Sequence, residues 1–380
     1  MAPFLPQEII TNILKRLRVK SLIRFQCICK HWKSLINTPS FIADHLHHSG
    51  SHNHSIIFHP RQKGDRTLHF YLLDCEMQVR EVQKAPLMDY FARDAAIVFT
   101  SNGLVCVKFD NHASCGSPPR LLLWNPATRD KGLVPTNIND FGDQFSWNKI
   151  FVGFGFSPII NDYKIVMFRF SYRAVDWVEL YSLTSESWKE VKCGTLAGLM
   201  NLWDQTVTAN GVMYWFGWLE RHGSRDVTIV SFDIANEVFT LIPSPDFYPS
   251  PYSSTLTVHE DRLAVLSLNR YQSKSIDLWV MDEAIGSSRG IRSWTKKYTC
   301  VFSSYCFVCP LTIWRNEIFC SGVHERPENV RLEPALFNLT TNKIKLGFMD
   351  TLCNLGHHVA YKYHAFNYVE SLVPIGGTKF

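Results

Sequence analysis

Cys27, Cys29 and His31 stand two apart in the stretch LIRFQCICKHWKSLI, and a thiol–thiol–imidazole set is the donor chemistry of a transition-metal site. On a helix, residues two apart diverge by about 200°, so the two sulfurs cannot converge on one ion. A strand would bring them together, but Leu22, Phe25, Ile28, Trp32 and Ile36 recur at helical spacing. No second ligand pair follows at zinc-finger spacing, so no metal is expected and Cys29 reads as a small core residue. Cys306 and Cys309 form a lone CxxC among strand-like residues, without the helix start and βαβ setting of a redox pair. Gly286-Ser287-Ser288-Arg289-Gly290 matches GxSxG literally, yet the flanks DEAI and IRSW make a polar loop rather than strand and helix. Gly153 and Gly155 lack the third glycine and following helix of a dinucleotide loop, and neither a P-loop nor HExxH occurs. No catalytic constellation is recognisable, which weighs against a propeller enzyme as a further reading, and no cofactor is expected.

The elements that hold these residues divide the 380-residue chain in two. Its length exceeds the usual span of one core, and 46% hydrophobic with 13% aromatic residues leaves ample material for packing. Residues 1–48 carry Lys15, Arg16, Arg18, Lys20, Arg24, Lys30 and Lys33 against only Glu8 and Asp44, so they hold the whole formal excess of +5. The rest is neutral and gives no general electrostatic case for nucleic acid. The N-terminal residues lack the basic region and apolar run of a secretory signal, and no stretch reaches a membrane span. Eleven scattered cysteines then suggest reduced thiols, in the cytoplasm or nucleus.

Residues 5–48 read as four helices. Pro6, Gln7 and Glu8 suit a first turn, and Ile9, Ile10, Ile13, Leu14 and Leu17 follow helical spacing. A second helix is expected from about Lys20 to Gln26, a third through CKHWKSLI, and a fourth from Thr38-Pro39. So small a unit cannot bury all its apolar side chains, and some must face a partner or the next domain. HLHHSGSHNH then reads as a solvated linker, with residues 49–55 as the joint and 56–380 as the second domain.

Beyond the joint, short hydrophobic runs alternate with turn residues. Aligned on Tyr71, Trp124, Tyr181, Phe232, Trp279 and Phe337, they repeat at intervals of 53, 57, 51, 47 and 58 residues. That period is in the range of kelch-type propeller blades. Tyr181 to Trp188, Phe232 to Phe239 and Phe337 to Ile344 each span seven positions across turn formers, so each unit holds a hairpin. Six anchors imply six small antiparallel sheets packed radially, with YHAFNYVESLVPI pairing back to close the ring. A β-sandwich or an open array of similar size fits the same spacing.

The basic helices admit a DNA-binding reading, which predicts binding that collapses with salt. Recognition helices present base-reading polar residues, however, whereas the third helix offers Trp32, Leu35 and Ile36. An acidic protein partner uses the same charges equally well.

LPQEIITNILKRLRVKSLIRFQCICKHWKSLI resembles the F-box of plant F-box proteins: Leu-Pro, an acidic residue, paired Ile, Lys-Ser-Leu, Arg-Phe, Cys-Lys, Trp and a closing Leu-Ile. Arg18 stands where that family has proline after Arg-Leu, a departure expected to loosen the turn between the first two helices. SNGLVCV, LLLWNPATR, GFGFSPIINDYKIV, VELYSLTSESWKEV, ANGVMYWFG, IVSFDIANEVFTLIPSP and YVESLVPI resemble the F-box-associated domain in family order. The resemblance implies an α+β multidomain chain, a small helical F-box followed by an all-β, kelch-like propeller. S-locus pollen receptors and regulators of defence or hormone response share these landmarks.

The resemblance further implies a non-catalytic substrate receptor of a Skp–cullin–F-box ubiquitin ligase, marking targets for proteasomal degradation. Docking on the Skp-family adaptor, and through it cullin, carries over to Leu5, Pro6, Ile9, Ile10, Ile13, Leu14, Leu22, Phe25, Ile28 and Trp32. Target recognition falls to propeller loops: FGDQFSWN with Phe145 and Trp147, LERHGSRD with Arg221 and Arg225, and PDFYPSPYS with Phe247, Tyr248 and Tyr252. Neither nucleic acid nor membrane is an expected partner.

Overall fold

The computed structural model describes residues 5–52, 55–62, 69–74, 78–84, 94–110, 119–135, 149–171, 174–221, 223–245, 253–269, 275–282, 293–301, 305–324, 332–345 and 360–376. Four helices come first: α1 (Gln7–Leu14), α2 (Val19–Phe25), α3 (Lys30–Ile36) and α4 (Pro39–His52). Pro6 precedes α1 with φ −53°, and Glu8 sits in its first turn. Thr38 starts α4, its Oγ1 accepting from Phe41 N–H at 3.3 Å, with Pro39 at the first helical position.

Two expectations about this unit are corrected. Cys29 is no core residue: it is exposed, extended, and caps α3 by accepting from Trp32 N–H at 3.4 Å. Residues 26–28 form a turn, so Cys27 and Cys29 do not share a helix. The segment read as a solvated linker is helical through His52, and β structure resumes at Ser55. Composition misleads there because His45 and Ser49 are buried and carry the inner face of α4. The His45 ring stacks on Phe41, and its Nε2 meets the Leu17 carbonyl at 2.9 Å.

The strands follow in blade order. Blade 1 holds β1 (Ser55–Gln62), β2 (His69–Leu73) and β3 (Val79–Lys84). Blade 2 holds β4 (Asp94–Ser101), β5 (Leu104–Asp110), β6 (Arg120–Asn125) and β7 (Asp130–Leu133). Blade 3 holds β8 (Lys149–Ser157), β9 (Asp162–Ser171), β10 (Ala174–Ser182) and β11 (Ser187–Glu190). Blade 4 holds β12 (Leu199–Ala209), β13 (Val212–Arg221), β14 (Ser224–Asp233) and β15 (Val238–Pro243). Blade 5 holds β16 (Ser254–His259), β17 (Arg262–Asn269), β18 (Ser275–Met281) and β19 (Trp294–Val301). Blade 6 holds β20 (Tyr305–Trp314), β21 (Glu317–His324), β22 (Leu332–Asn338) and β23 (Ile344–Lys345). The last strand, β24 (Ala360–Tyr368), pairs antiparallel with β1 from Ser55–Tyr368 onward and completes blade 1 as its innermost strand. Six four-stranded sheets result, and their first strands touch in a closed circle.

All six repeat anchors lie on the third strand of their sheets. The seven-residue spacing is the hairpin register itself: Tyr181 faces Trp188, Phe232 faces Phe239 and Phe337 faces Ile344. After the anchor, Asn125, Asp233 and Asn338 each turn the chain alike. Their side-chain oxygens accept from the amides two and three residues on, at 2.9–3.3 Å.

Side chains stitch the inner circle at every junction. Thr100 reaches the Asn367 carbonyl at 2.7 Å, Lys108 that of Ile150, Thr206 that of Val152, and Gln205 that of Leu256. Thr255 reaches the Pro310 carbonyl at 2.8 Å, and Asn367 that of Ile313 at 2.9 Å. Each such bond contributes about 0.5–1.5 kcal/mol net and satisfies a carbonyl of the crowded circle. Gly153 belongs to this packing rather than to a nucleotide loop, since a Cβ there would lie 2.2 Å from the Trp215 ring.

Candidate functional site

Antiparallel order sorts the turns by end. Turns between first and second strands, and between third and fourth, fall at one end of the propeller; second-to-third turns and blade-to-blade connections fall at the other. The helices pack at the first end. Leu14, Val19, Leu22, Ile36 and Phe41 share one core with Leu372, with Ala127 of the β6–β7 turn against it.

That core divides the apolar residues of α1–α3. Leu14 (1% exposed) and Leu22 (0%) face inward, into the core with Leu372. Helical spacing alone does not distinguish the two faces of so small a unit. Leu5, Ile9, Ile13 and Ile28 project outward, 55%, 44%, 48% and 61% exposed, and Pro6 is exposed beside them. Ile10, Phe25 and Trp32 are half-buried, the last two in ring contact at 5.4 Å. Four large aliphatic side chains left about half exposed on so short a unit call for cover. None of the seven cations around them forms an ion pair among the described residues.

At the far end lies one of the loops expected to recognise a target. The β13–β14 hairpin holds Arg221 opposite Ser224 and Glu220 opposite Arg225, with both arginines exposed. The β7–β8 and β15–β16 connections leave from the same end. Phe145, Trp147, Phe247, Tyr248 and Tyr252 lie outside the described residues.

Burial pushes the thiols of Cys106 and Cys320 well up and that of Cys300 to about 11. Burial also holds the His45 imidazolium below its ordinary 6.5, against the opposing pull of the Leu17 carbonyl and the Glu370 carboxylate. Among the described residues no three His, Cys, Asp or Glu side chains are grouped to hold a metal ion. No helix among them is long and apolar enough to cross a membrane.

Sequence reasoning missed the segment after β24. Leu372 enters the helical core, Glu370 accepts from Val19 N–H at 3.3 Å, and Asn125 donates to the carbonyls of Ser371 and Val373. Its landmark YVESLVPI was visible, but only as a ring closure.

Residues 50–332 match the family described as F-box associated beta propeller domain, and residues 3–44 match the F-box domain. An F-box protein of Arabidopsis thaliana is 27% identical over 270 residues, which span 67% of this chain and 65% of that one, just under two-thirds of its length. Another is 23% identical over 381 residues, 97% of this chain and 87% of its own. The Arabidopsis thaliana F-box protein CPR1 is 27% identical over 327 residues, 78% of this chain and 72% of its own. Among solved structures, the β-propeller domain of the Trilobed protease from Pyrococcus furiosus aligns with a TM-score of 0.40 and 14% identity, over 69% of this chain and 73% of that one.

Proposed function

The chain belongs to the F-box proteins that carry an F-box-associated β-propeller, and from that premise we propose that it is the target-recognition subunit of a Skp–cullin–F-box ubiquitin ligase. The observation that carries this reading is the outward patch of Leu5, Ile9, Ile13 and Ile28 on a unit whose own core is already filled by Leu14, Leu22 and Leu372. These four are the contacts for the Skp-family adaptor, which links to cullin. Fully burying such a side chain from water contributes roughly 1.5–3 kcal/mol, and these four, about half exposed, each gain about half of that. Association costs about 4–15 kcal/mol, so the rims of Phe25 and Trp32 and contacts to the cations must add to the four. The basic surface suits an acidic partner.

The protein's part in ubiquitin transfer is proximity. It holds a target near a ubiquitin-charged enzyme and raises effective concentration without making or breaking a bond itself. Target binding falls to the propeller end opposite the helices, where Arg221 and Arg225 are exposed, and the complex works in the cytoplasm or nucleus. That separation keeps one end clear for the adaptor and the other for the target.

The test is gel filtration of the full-length chain mixed with a Skp-family adaptor at moderate salt. Co-elution is the expected result. A folded chain that leaves the adaptor behind would overturn the reading.

A further inference from the structure

The stretch after β24 ties two domains at once. Leu372 is 8% exposed, and it fills the helical core beside Val19 and Leu22. Glu370 supplies a carboxylate to the Val19 amide, at a helix start where Arg18 gives no side-chain cap. On the propeller side, Asn125 is fully buried and uses both halves of its amide. Its Oδ1 accepts from Ala127 and Thr128 N–H and shapes the β6–β7 turn. Its Nδ2 donates to the Ser371 carbonyl at 3.0 Å and the Val373 carbonyl at 2.9 Å. Ser371 lies so close over blade 2 that a Cβ on Gly103 would come within 2.1 Å of its own.

We infer that residues 370–375 are a clasp: they complete the core of the F-box and fix it in one orientation on the end of blade 2. Two independent anchorages support this, a side chain and a carboxylate toward the helices, and a doubly bonded backbone toward the propeller. A segment held at both faces transmits no hinge motion, whereas a chain crossing alone would let the helices swing. Resting on the receptor reading, the clasp sets the distance from the adaptor face to the target-binding end. The F-box of this chain is then not an autonomous unit, and residues 1–48 alone lack part of their interior.

Asn125→Asp is the decisive variant, made in the full-length chain. Aspartate keeps the turn-forming oxygen, as Asp233 does in blade 4, but sets a second acceptor against two carbonyls. Asp233→Asn, the reverse exchange where no clasp passes, is the control. Hydrogen exchange followed by mass spectrometry is expected to rise roughly tenfold or more in residues 19–25 and 370–375 of Asn125→Asp, with blades 4–6 unchanged. Leu372→Ala, which touches the helical core, is expected to raise exchange in the same two segments. Wild-type exchange there in both variants would overturn the clasp, as would a rise shared equally by all six blades. Adaptor retention is measured on the same samples. If the wild type fails to retain adaptor, the receptor reading falls while the exchange result still decides the clasp.

Discussion

The carboxylate of Glu370 accepts a hydrogen bond from the amide of Val19 at 3.3 Å, across 351 positions of sequence. It does for α2 what a local Ser or Asp does for most helices, and it places a negative charge where the helix end is positive. Glu370→Ala is expected to lower the stability of the helical unit by about 1 kcal/mol. A denaturant titration followed at Trp32 should show an earlier midpoint, with the propeller signal unmoved.

Arg18, where the family has proline, already holds φ at −66° and ψ at 150°, the backbone that proline prefers. Its amide donates to no acceptor among the described residues. Arg18 thus already has the backbone shape that a proline would impose. Arg18→Pro should raise stability by about 0.4–1 kcal/mol, through the unfolded chain, and thermal melting checks it.

Exposure separates two kinds of apolar substitution. Ile9→Asp and Ile28→Asp should abolish adaptor retention while leaving the melting temperature within error, because both side chains stand in water. Leu22→Ala should cost about 2–5 kcal/mol and weaken retention only through unfolding. Measuring retention and melting on the same preparations distinguishes the two.

His45 predicts a pH dependence of definite sign. Its native pKa lies below 6.5, so its contribution is whole above about pH 6.5 and is lost as the pH falls toward the native value. The unfolded chain takes up the proton that the buried ring resists, with Glu370 opposing part of the loss. His45→Gln keeps a donor for the Leu17 carbonyl and should flatten the stability profile between about pH 7 and 5. His259, also lowered by burial, remains in both proteins and cancels from the comparison.

The thiols report on docking. Cys27 and Cys29 are exposed and flank Ile28, whereas Cys106, Cys300 and Cys320 are buried with thiols that resist ionisation. Iodoacetamide should modify the first two in the native protein and the other three only after unfolding. Bound adaptor should slow modification at Cys27 and Cys29, read peptide by peptide by mass spectrometry.

The propeller was legible because its signals are local and repeated. An anchor and its partner seven residues on are a hairpin register, and the same hairpin recurs along the chain. The helical unit was legible in its elements but not in its sidedness. Leu22 and Ile28 are both large and apolar, and only the docking of helices on one another and on Leu372 turns one in and the other out. His45 and Ser49 looked like solvent residues because their burial depends on the Leu17 carbonyl and the face of α4, which composition does not carry. Half of the Asn125 amide shapes the turn that follows its strand, a local job. The other half serves a segment distant in sequence, and no spacing rule reaches so far.

Since β24 supplies the innermost strand of blade 1 and Leu372 follows it, the parts that complete both domains are synthesised after the helices and after blades 2–6. The helices emerge before the propeller yet wait for a core residue made after it, and the ring stays open for as long. A chain that stopped short of β24 would thus carry an incomplete helical core together with an unclosed propeller.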